Sequence, residues 1–200
     1  MIAVLDYGIG NQRSAEKALQ HVGADARLVD DPEVAAGAAA MVPPGVGAFG
    51  RCAAALADSG LDQAARDGIA RGLPFLGICV GFQLLYAGSD EAPGVPGLGI
   101  LEGTVHALSP RVKSPQMQWN ILDVTDGRGL LAGIDPGSWV YFVHSFAPER
   151  TADTVATCDY GGPVTAAAAR GRVWGTQFHP EKSGRVGLAI LANFVAAAAA

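Results

Sequence analysis

Gly77-Ile78-Cys79-Val80-Gly81 sets a thiol between two glycines, after the apolar run 73–78 and ahead of the helix-like stretch 82–86. A Gly-x-nucleophile-x-Gly pattern at a strand-to-helix junction allows a sharp turn in which neighbouring backbone comes close to both flanks. Such a turn holds the central side chain at the helix N-terminus. There the dipole favours a thiolate, and the N–H of Val80 faces any oxyanion that develops. Cys52 and Cys158 lack this setting and read as small buried hydrophobes. Cys79 reads as a nucleophile.

A thiol nucleophile needs a base, and the base needs an orienter. The chain has four histidines, His21, His106, His144 and His179. His21 falls at a polar helix end and His106 in a β-like run, so both read as structural. His179 stands in Gln177-Phe178-His179-Pro180-Glu181-Lys182-Ser183, at the close of another apolar run. Residues two apart in an extended segment point to one side, and Pro180 biases His179 toward extended geometry. Glu181 can then hold the ring nitrogen that His179 does not turn to the thiol. Alone, His-Pro-Glu would be an ordinary surface turn. With the cysteine elbow it completes a Cys-His-Glu triad. A third fragment, Pro43-Pro44-Gly45-Val46-Gly47, follows a predicted strand, and the two glycines leave the intervening backbone free to rotate a peptide. It could give a second oxyanion donor near Val46–Gly47, although a plain Pro-Gly turn accounts for the same residues equally well.

Those three fragments must be brought together by a scaffold. Apolar runs at 2–5, 27–29, 40–42 and 73–78 alternate with helical spacing at Ala15, Ala18, Leu19 and Val22 and at Leu61, Ala64, Ala65 and Ile69; Gly23 and Gly72 close the two helices. Strands without polar alternation, interleaved with helices, predict a mostly parallel sheet covered on both faces. Beyond Gly88, β-like runs at 98–105, 119–124, 139–143, 154–157, 164–168 and 173–178 predict antiparallel additions to the same sheet, with a closing helix over 184–194. The alanines at 196–200 read as a frayed end. No linker or repeat divides the chain, so residues 1–200 are expected to form one α/β domain.

Composition narrows the function. Of 200 residues, 50% are hydrophobic and 16% charged, which excludes a disordered chain. The net charge of −5, from 14 Lys+Arg against 19 Asp+Glu with no basic run, argues against nucleic acid and anionic membrane as partners. Three cysteines without a Cys-x-x-Cys fit a reducing, cytoplasmic compartment. The opening Met-Ile-Ala-Val-Leu-Asp lacks the basic start of a signal peptide, and the apolar stretch 188–200 is short of the ~20 residues that span a bilayer. With no paired metal ligands and no phosphate-binding loop, neither metal nor cofactor is expected.

The elbow, the Pro-Gly-Val-Gly loop and His-Pro-Glu together resemble the class I (triad) glutamine amidotransferases over nearly the whole chain. Asp6-Tyr7-Gly8-Ile9-Gly10-Asn11, Tyr141-Phe142-Val143-His144-Ser145-Phe146 and the run 176–183 resemble more closely one branch of that family, the glutaminase subunits of imidazole glycerol phosphate synthases in histidine biosynthesis. The resemblance implies a flavodoxin-like fold and hydrolysis of L-glutamine through a Cys79 thioester. It implies His179 as base and then acid, Glu181 as orienter, and the N–H groups of Gly47 and Val80 as oxyanion donors. Gln83, Glu91, Ser145 and Phe146 would bind the substrate, with Gln83 at its α-carboxylate or amino end and Glu91 at its ammonium; a solvated loop charge suits Glu91 nearly as well. Asn11, Trp119, Asn120 and Lys182 would face a (β/α)₈ cyclase subunit in a heterodimer, which receives the ammonia. Two alternatives stay open: the glutaminase of another complex, such as pyridoxal phosphate synthase, and a non-catalytic module on the same fold. Where the branch usually reads Pro-His-Met-Gly-Trp-Asn, this chain has Pro115-Gln116-Met117-Gln118-Trp119-Asn120, so partner contacts expected around 116 and 118 do not transfer. Phe146 stands where tyrosine is common.

Overall fold

The computed structural model of the chain describes residues 1–199. Strands β1 (Ile2–Leu5), β2 (Ala26–Val29) and β3 (Ala40–Val42) are joined by helices α1 (Gln12–His21) and α2 (Pro32–Ala36). The two-residue β4 (Pro44–Gly45), then α3 (Phe49–Asp58) and α4 (Leu61–Ala70), lead to β5 (Phe75–Cys79) and the single turn α5 (Val80–Gln83). The second half holds β6 (Val105–Ala107), β7 (Gln116–Ile121), β8 (Asp123–Val124), β9 (Trp139–His144), β10 (Phe146–Pro148), β11 (Thr154–Asp159), β12 (Pro163–Arg170), β13 (Val173–Thr176) and α6 (Gly184–Ala199).

The main sheet runs β2-β1-β3-β5-β13-β12-β11-β8, with β4 pairing alongside β5. Its first five strands are parallel and the last three antiparallel. Every residue of β1, β3, β5 and β13 is buried, as strands covered on both faces must be. Helices α1 and α6 pack together, while α2 and α3 pack on α4. This is the α/β architecture that the alternation of apolar runs predicts. The helix ends fall at Gly23 and Gly72, both at positive φ (94° and 81°), where only glycine is unstrained.

Several expectations change. Residues 98–104 form no strand. Their N–H groups cap α5 instead: Leu98 donates to the Leu84 carbonyl (2.7 Å), Gly99 to Tyr86 (3.2 Å), and Ile100 and Leu101 to Leu85 (2.7 and 3.0 Å). That capping is also why the helix expected over 82–86 stops after one turn. Strands β7 and β9 pair only with each other, and β10 with β6, so they are ribbons beside the sheet and not additions to it; β13 joins it in parallel. Helix α6 runs on to Ala199, since alanines propagate a helix better than any other residue; Ala200 lies outside the described residues. Helices α2 and α3 were not anticipated.

Candidate active site

Cys79 ends β5, at the carboxyl edge of the sheet where open α/β folds place their sites. Its backbone has φ 55° and ψ −110°, and among the described residues it is the one non-glycine at positive φ. Holding a side chain there costs on the order of 1–3 kcal/mol. The flanking glycines show what enforces it. A Cβ on Gly77 would lie 2.6 Å from the Gly81 carbonyl oxygen, and one on Gly81 would lie 1.8 Å from that of Pro43. The elbow closes because neither flank carries a side chain.

Strand β13 runs beside β5, and the chain leaving it carries His179, 1% exposed, toward Cys79. The segment is stapled to β9: His179 N–H donates to the Tyr141 carbonyl (3.0 Å), Ser183 Oγ–H to the His179 carbonyl (2.7 Å), and Tyr141 N–H to Ser183 Oγ (3.0 Å). Nδ1 of His179 lies 2.8 Å from Glu181 Oε1, and the same oxygen accepts from Asn11 Nδ2 at 3.0 Å. Nε2 is buried with no partner, and no hydrogen bond joins it to the thiol in this resting geometry; such contacts often tighten only when substrate binds. Burial opposes a charged His179, but the nearby Cys79 thiol group and then the hydrogen-bonded, charged Glu181 more than reverse it and raise its pKa to about 10. Burial likewise opposes the Glu181 carboxylate, yet His179 and then Asn11 hold its pKa below the ordinary value.

Strand β4 lays the Pro-Gly-Val-Gly loop along the nucleophile, with Gly45 in register with Cys79. Gly45 is not a swivel. A Cβ there would meet the Gly81 nitrogen at 2.7 Å and the Tyr7 hydroxyl at 2.9 Å. Gly47, at φ +88° with open space around it, is the free glycine. Tyr7 donates to the Pro44 carbonyl, and the Cys52 thiol lies 3.4 Å from the Val46 carbonyl oxygen. A cavity of about 180 Å³ opens between Gly47, Gln83, Glu91, Ser145 and Phe146, with Pro115, Val143 and His144 completing its wall. Every residue expected at the substrate lines this one cavity. Val80 is the first residue of α5, its side chain buried.

Contacts refine several roles. Gln83 uses both amide hydrogens internally, toward the Phe146 carbonyl (2.9 Å) and Gln177 Oε1 (3.0 Å), so it has none left for a carboxylate; only its oxygen remains to accept. Glu91 Oε2 accepts the Phe49 N–H at the start of α3 (2.8 Å), satisfying an orphan helix donor, so it is no free loop charge. Asn11 turns inward to Glu181. Asn120 is also held within the chain, donating to the Asp159 carbonyl (2.9 Å) and accepting from Ile121 N–H (2.8 Å). Trp119 and Lys182 are exposed, as a docking face requires. Gln116, where the family's partner contacts were not carried over, is fully buried. Sequence reasoning missed Gln177, whose Nε2 lies 3.8 Å from Cys79 Sγ; its place two residues before His179 was the available signal.

A strained thiol at a strand end and a buried His–Glu pair near a glycine-hinged loop are what a thiol amidohydrolase would require, and a model of the class-I glutamine amidotransferases matches residues 3–198: the chain belongs to that family. It is 46% identical to the imidazole glycerol phosphate synthase subunit HisH of Symbiobacterium thermophilum, over 96% of this chain and 92% of that protein. Identity to the subunit of the same name from Deinococcus radiodurans is 47%, over the same shares, and to that of Methanothermobacter thermautotrophicus 46%, over 98% of each chain. Among solved structures, a glutamine amidotransferase superposes with a TM-score of 0.79 at 22% identity, covering 100% of this chain and 99% of that one. PurLQS from Thermotoga maritima follows at 0.73 and 19%, covering 98% and 97%. The last two likenesses bear on the fold.

Proposed function

We propose that this chain is the glutamine-hydrolysing subunit of an imidazole glycerol phosphate synthase, with Cys79, His179 and Glu181 as its triad. One observation carries the reading: the thiol held at positive φ lies 3.9 Å from the carbonyl oxygen of Val143, in the wall of the cavity of Gly47, Gln83, Glu91, Ser145 and Phe146, with the buried His179–Glu181 pair near the thiol. The Cys79 thiolate attacks the side-chain amide carbon of glutamine. The N–H groups of Val80 and Gly47 hold the oxyanion, a service worth about 10²–10³ in turnover per donor. Imidazolium His179 gives its proton to the departing nitrogen, ammonia leaves, and a thioester remains. Water, deprotonated by His179, then releases glutamate. The Gln83 oxygen and the second Glu91 oxygen suit the substrate ammonium. A glutamine analogue bearing an electrophile at the amide position tests this: it labels Cys79 and no other cysteine, whereas labelling of Cys52 or Cys158 would overturn the assignment.

The ammonia needs a consumer, and the chain carries a surface for one. Met117, Trp119, Ile121 and Trp139 are 64%, 47%, 42% and 54% exposed on one face of the β7–β9 ribbon. An exposed apolar face of that kind marks an interaction site. It supports a heterodimer with a (β/α)₈ cyclase subunit, Trp119 and Lys182 at the contact; the free, buried Cys52, Cys79 and Cys158 suit the reducing cytoplasm. The Val46–Gly47 peptide is the switch: docking sets it, and the cyclase with its nucleotide ligand activates hydrolysis. The measurement is glutamate release by the chain alone, with the cyclase, and with cyclase plus ligand, and equal rates would end the gating idea. Trp119→Ala and Lys182→Ala should each weaken the complex; a residue whose loss leaves affinity unchanged drops out of the interface.

A further inference from the structure

The ribbon that exposes Trp119 on one side turns Gln116 and His144 inward on the other, as register partners of β7 and β9. Gln116 is 0% and His144 6% exposed. His144 Nδ1 lies 2.8 Å from the Phe146 carbonyl oxygen, and Nε2 lies 3.0 Å from the Gln116 side-chain amide. A carbonyl only accepts, so Nδ1 carries the proton. Burial pushes the His144 pKa down to about 4, which leaves Nε2 as a bare acceptor in need of a donor. As placed, the Gln116 oxygen faces His144 Nε2 and its nitrogen faces Cys158 Sγ at 3.9 Å; exchanging the two ends of the amide gives Nε2 its donor and turns the oxygen to the thiol. Burial keeps that thiol protonated, with its pKa raised to about 11, so it donates.

The directions then agree along the whole path. Cys158 donates to Gln116, Gln116 to His144, and His144 to the Phe146 carbonyl, which takes a second hydrogen bond from Gln83. Gln83 donates its other hydrogen to Gln177, whose amide nitrogen faces Cys79 Sγ. The Phe146 carbonyl is thus held from both sides at the wall of the substrate cavity, and the orientation of the Gln83 amide follows from it.

We propose that Gln116 and His144 are positioning residues for glutamine: through the Phe146 carbonyl they fix which way Gln83 presents its oxygen to the substrate. This rests on the reading that glutamine occupies the cavity beside Gln83. Neither residue touches the thiol or the base, so the effect should fall on substrate affinity and not on the chemical step. The test is Gln116→Met, close in shape but unable to donate to His144, assayed in the complex with the cyclase. KM for glutamine should rise about tenfold with kcat within about twofold, the size expected for one buried hydrogen bond left unmade. The glutamine concentration that half-protects Cys79 from iodoacetamide should rise by the same factor. Gln116→His, which again offers a ring N–H, should recover most of the loss; a role in packing alone would lower thermal stability without this KM-only signature or its rescue. Gln83→Met separates the two ideas. If it raises KM while Gln116→Met does not, the positioning role is wrong and the glutamine site stands; if neither raises KM, the site reading fails and the proposal with it. Should Gln116→Met fold poorly, Cys158→Ala removes the far donor alone and should raise KM about two- to threefold, a smaller loss because the amide keeps its His144 contact; an unchanged KM there also overturns the proposal.

Discussion

His144, at the end of β9, and His179, three residues past β13, are both buried and close enough for the charge of one to act on the other, yet the protein drives them in opposite directions. His179 is raised to about 10 and His144 lowered to about 4. Burial opposes the charged ring at both places. Around His179 it is outweighed by the Cys79 and Glu181 side chains, whereas the hydrogen-bond partners of His144 are a backbone carbonyl and the neutral amide of Gln116. The choice of partner, not the depth of burial, decides which ring can carry a proton through catalysis and which can only hold something still. Amides divide the same way: Asn11 donates to a carboxylate and serves the base, while Gln83 and Gln116 belong to the uncharged chain.

Removing the reactive groups should widen that contrast most. Cys79→Ala or His179→Ala should abolish glutamate formation, a loss on the order of 10⁶ in turnover for members of a catalytic unit. His144→Asn should leave kcat largely intact and raise KM. If kcat fell as far as in His179→Ala, the two histidines would not differ in kind. Glu181→Gln comes next. It keeps thiol and imidazole, so it should lose less than His179→Ala, with ~10⁴ as the scale for a missing orienter. Its pH profile is the sharper reading. Cys79 and then Glu181 hold the imidazolium above its usual range, so the alkaline limb of the rate should lie above neutral pH; an amide in place of Glu181 stabilises the charged ring less, and the limb should move to lower pH. Stability follows the same signs. His179, raised above its unfolded value of ~6.5, contributes stability that is whole below that pH and lost as pH rises through about 10. Glu181, depressed, contributes stability present above ~4.3 and lost as pH falls through its folded value. Denaturant midpoints across pH would reveal a variant that loses one limb and keeps the other.

Much of the proposed triad was legible because its signals are local. Glycines at 77 and 81 announce the elbow, and His-Pro-Glu places the proposed base and its orienter two residues apart. The apolar runs named β1, β2, β3 and β5 because strands buried on both faces lose polar alternation. Helix α2 was legible and overlooked: Asp31 accepts the Glu33 N–H as N-cap, with Pro32 at the first turn. So was α3, whose buried Phe49, Cys52 and Leu56 fall at helical spacing. The Cys158–Gln116–His144 chain was not legible, since it joins residues up to 42 positions apart on strands whose pairing no local pattern states. The segment 98–101 misled for a related reason. An apolar run reads alike whether its N–H groups go to a sheet or, as here, to the end of a short helix.

The smallest effect tests the charged side of the contrast at its edge. Asn11 is the N-cap residue of α1 but makes no capping bond; its side chain goes to Glu181 instead. Helix stability should therefore not depend on it, although an N-cap asparagine replaced by alanine ordinarily costs ~1 kcal/mol. Asn11→Ala should lower the thermal midpoint only through the lost Glu181 hydrogen bond, a loss that disappears at pH low enough to protonate Glu181, whereas loss of a helix cap would persist there. It should lower kcat about three- to tenfold, the scale of one hydrogen bond to a charged group. The direction of the pH shift is also fixed. The Asn11 bond helps hold the Glu181 carboxyl below its ordinary value, so without it that pKa rises and the acid limb of the rate moves to higher pH. Asn11→Asp should do more, because a second carboxylate beside Glu181 raises its pKa further. A thermal midpoint still lowered at that low pH, with an unmoved acid limb, would mean that Asn11 caps the helix after all and does nothing for the base.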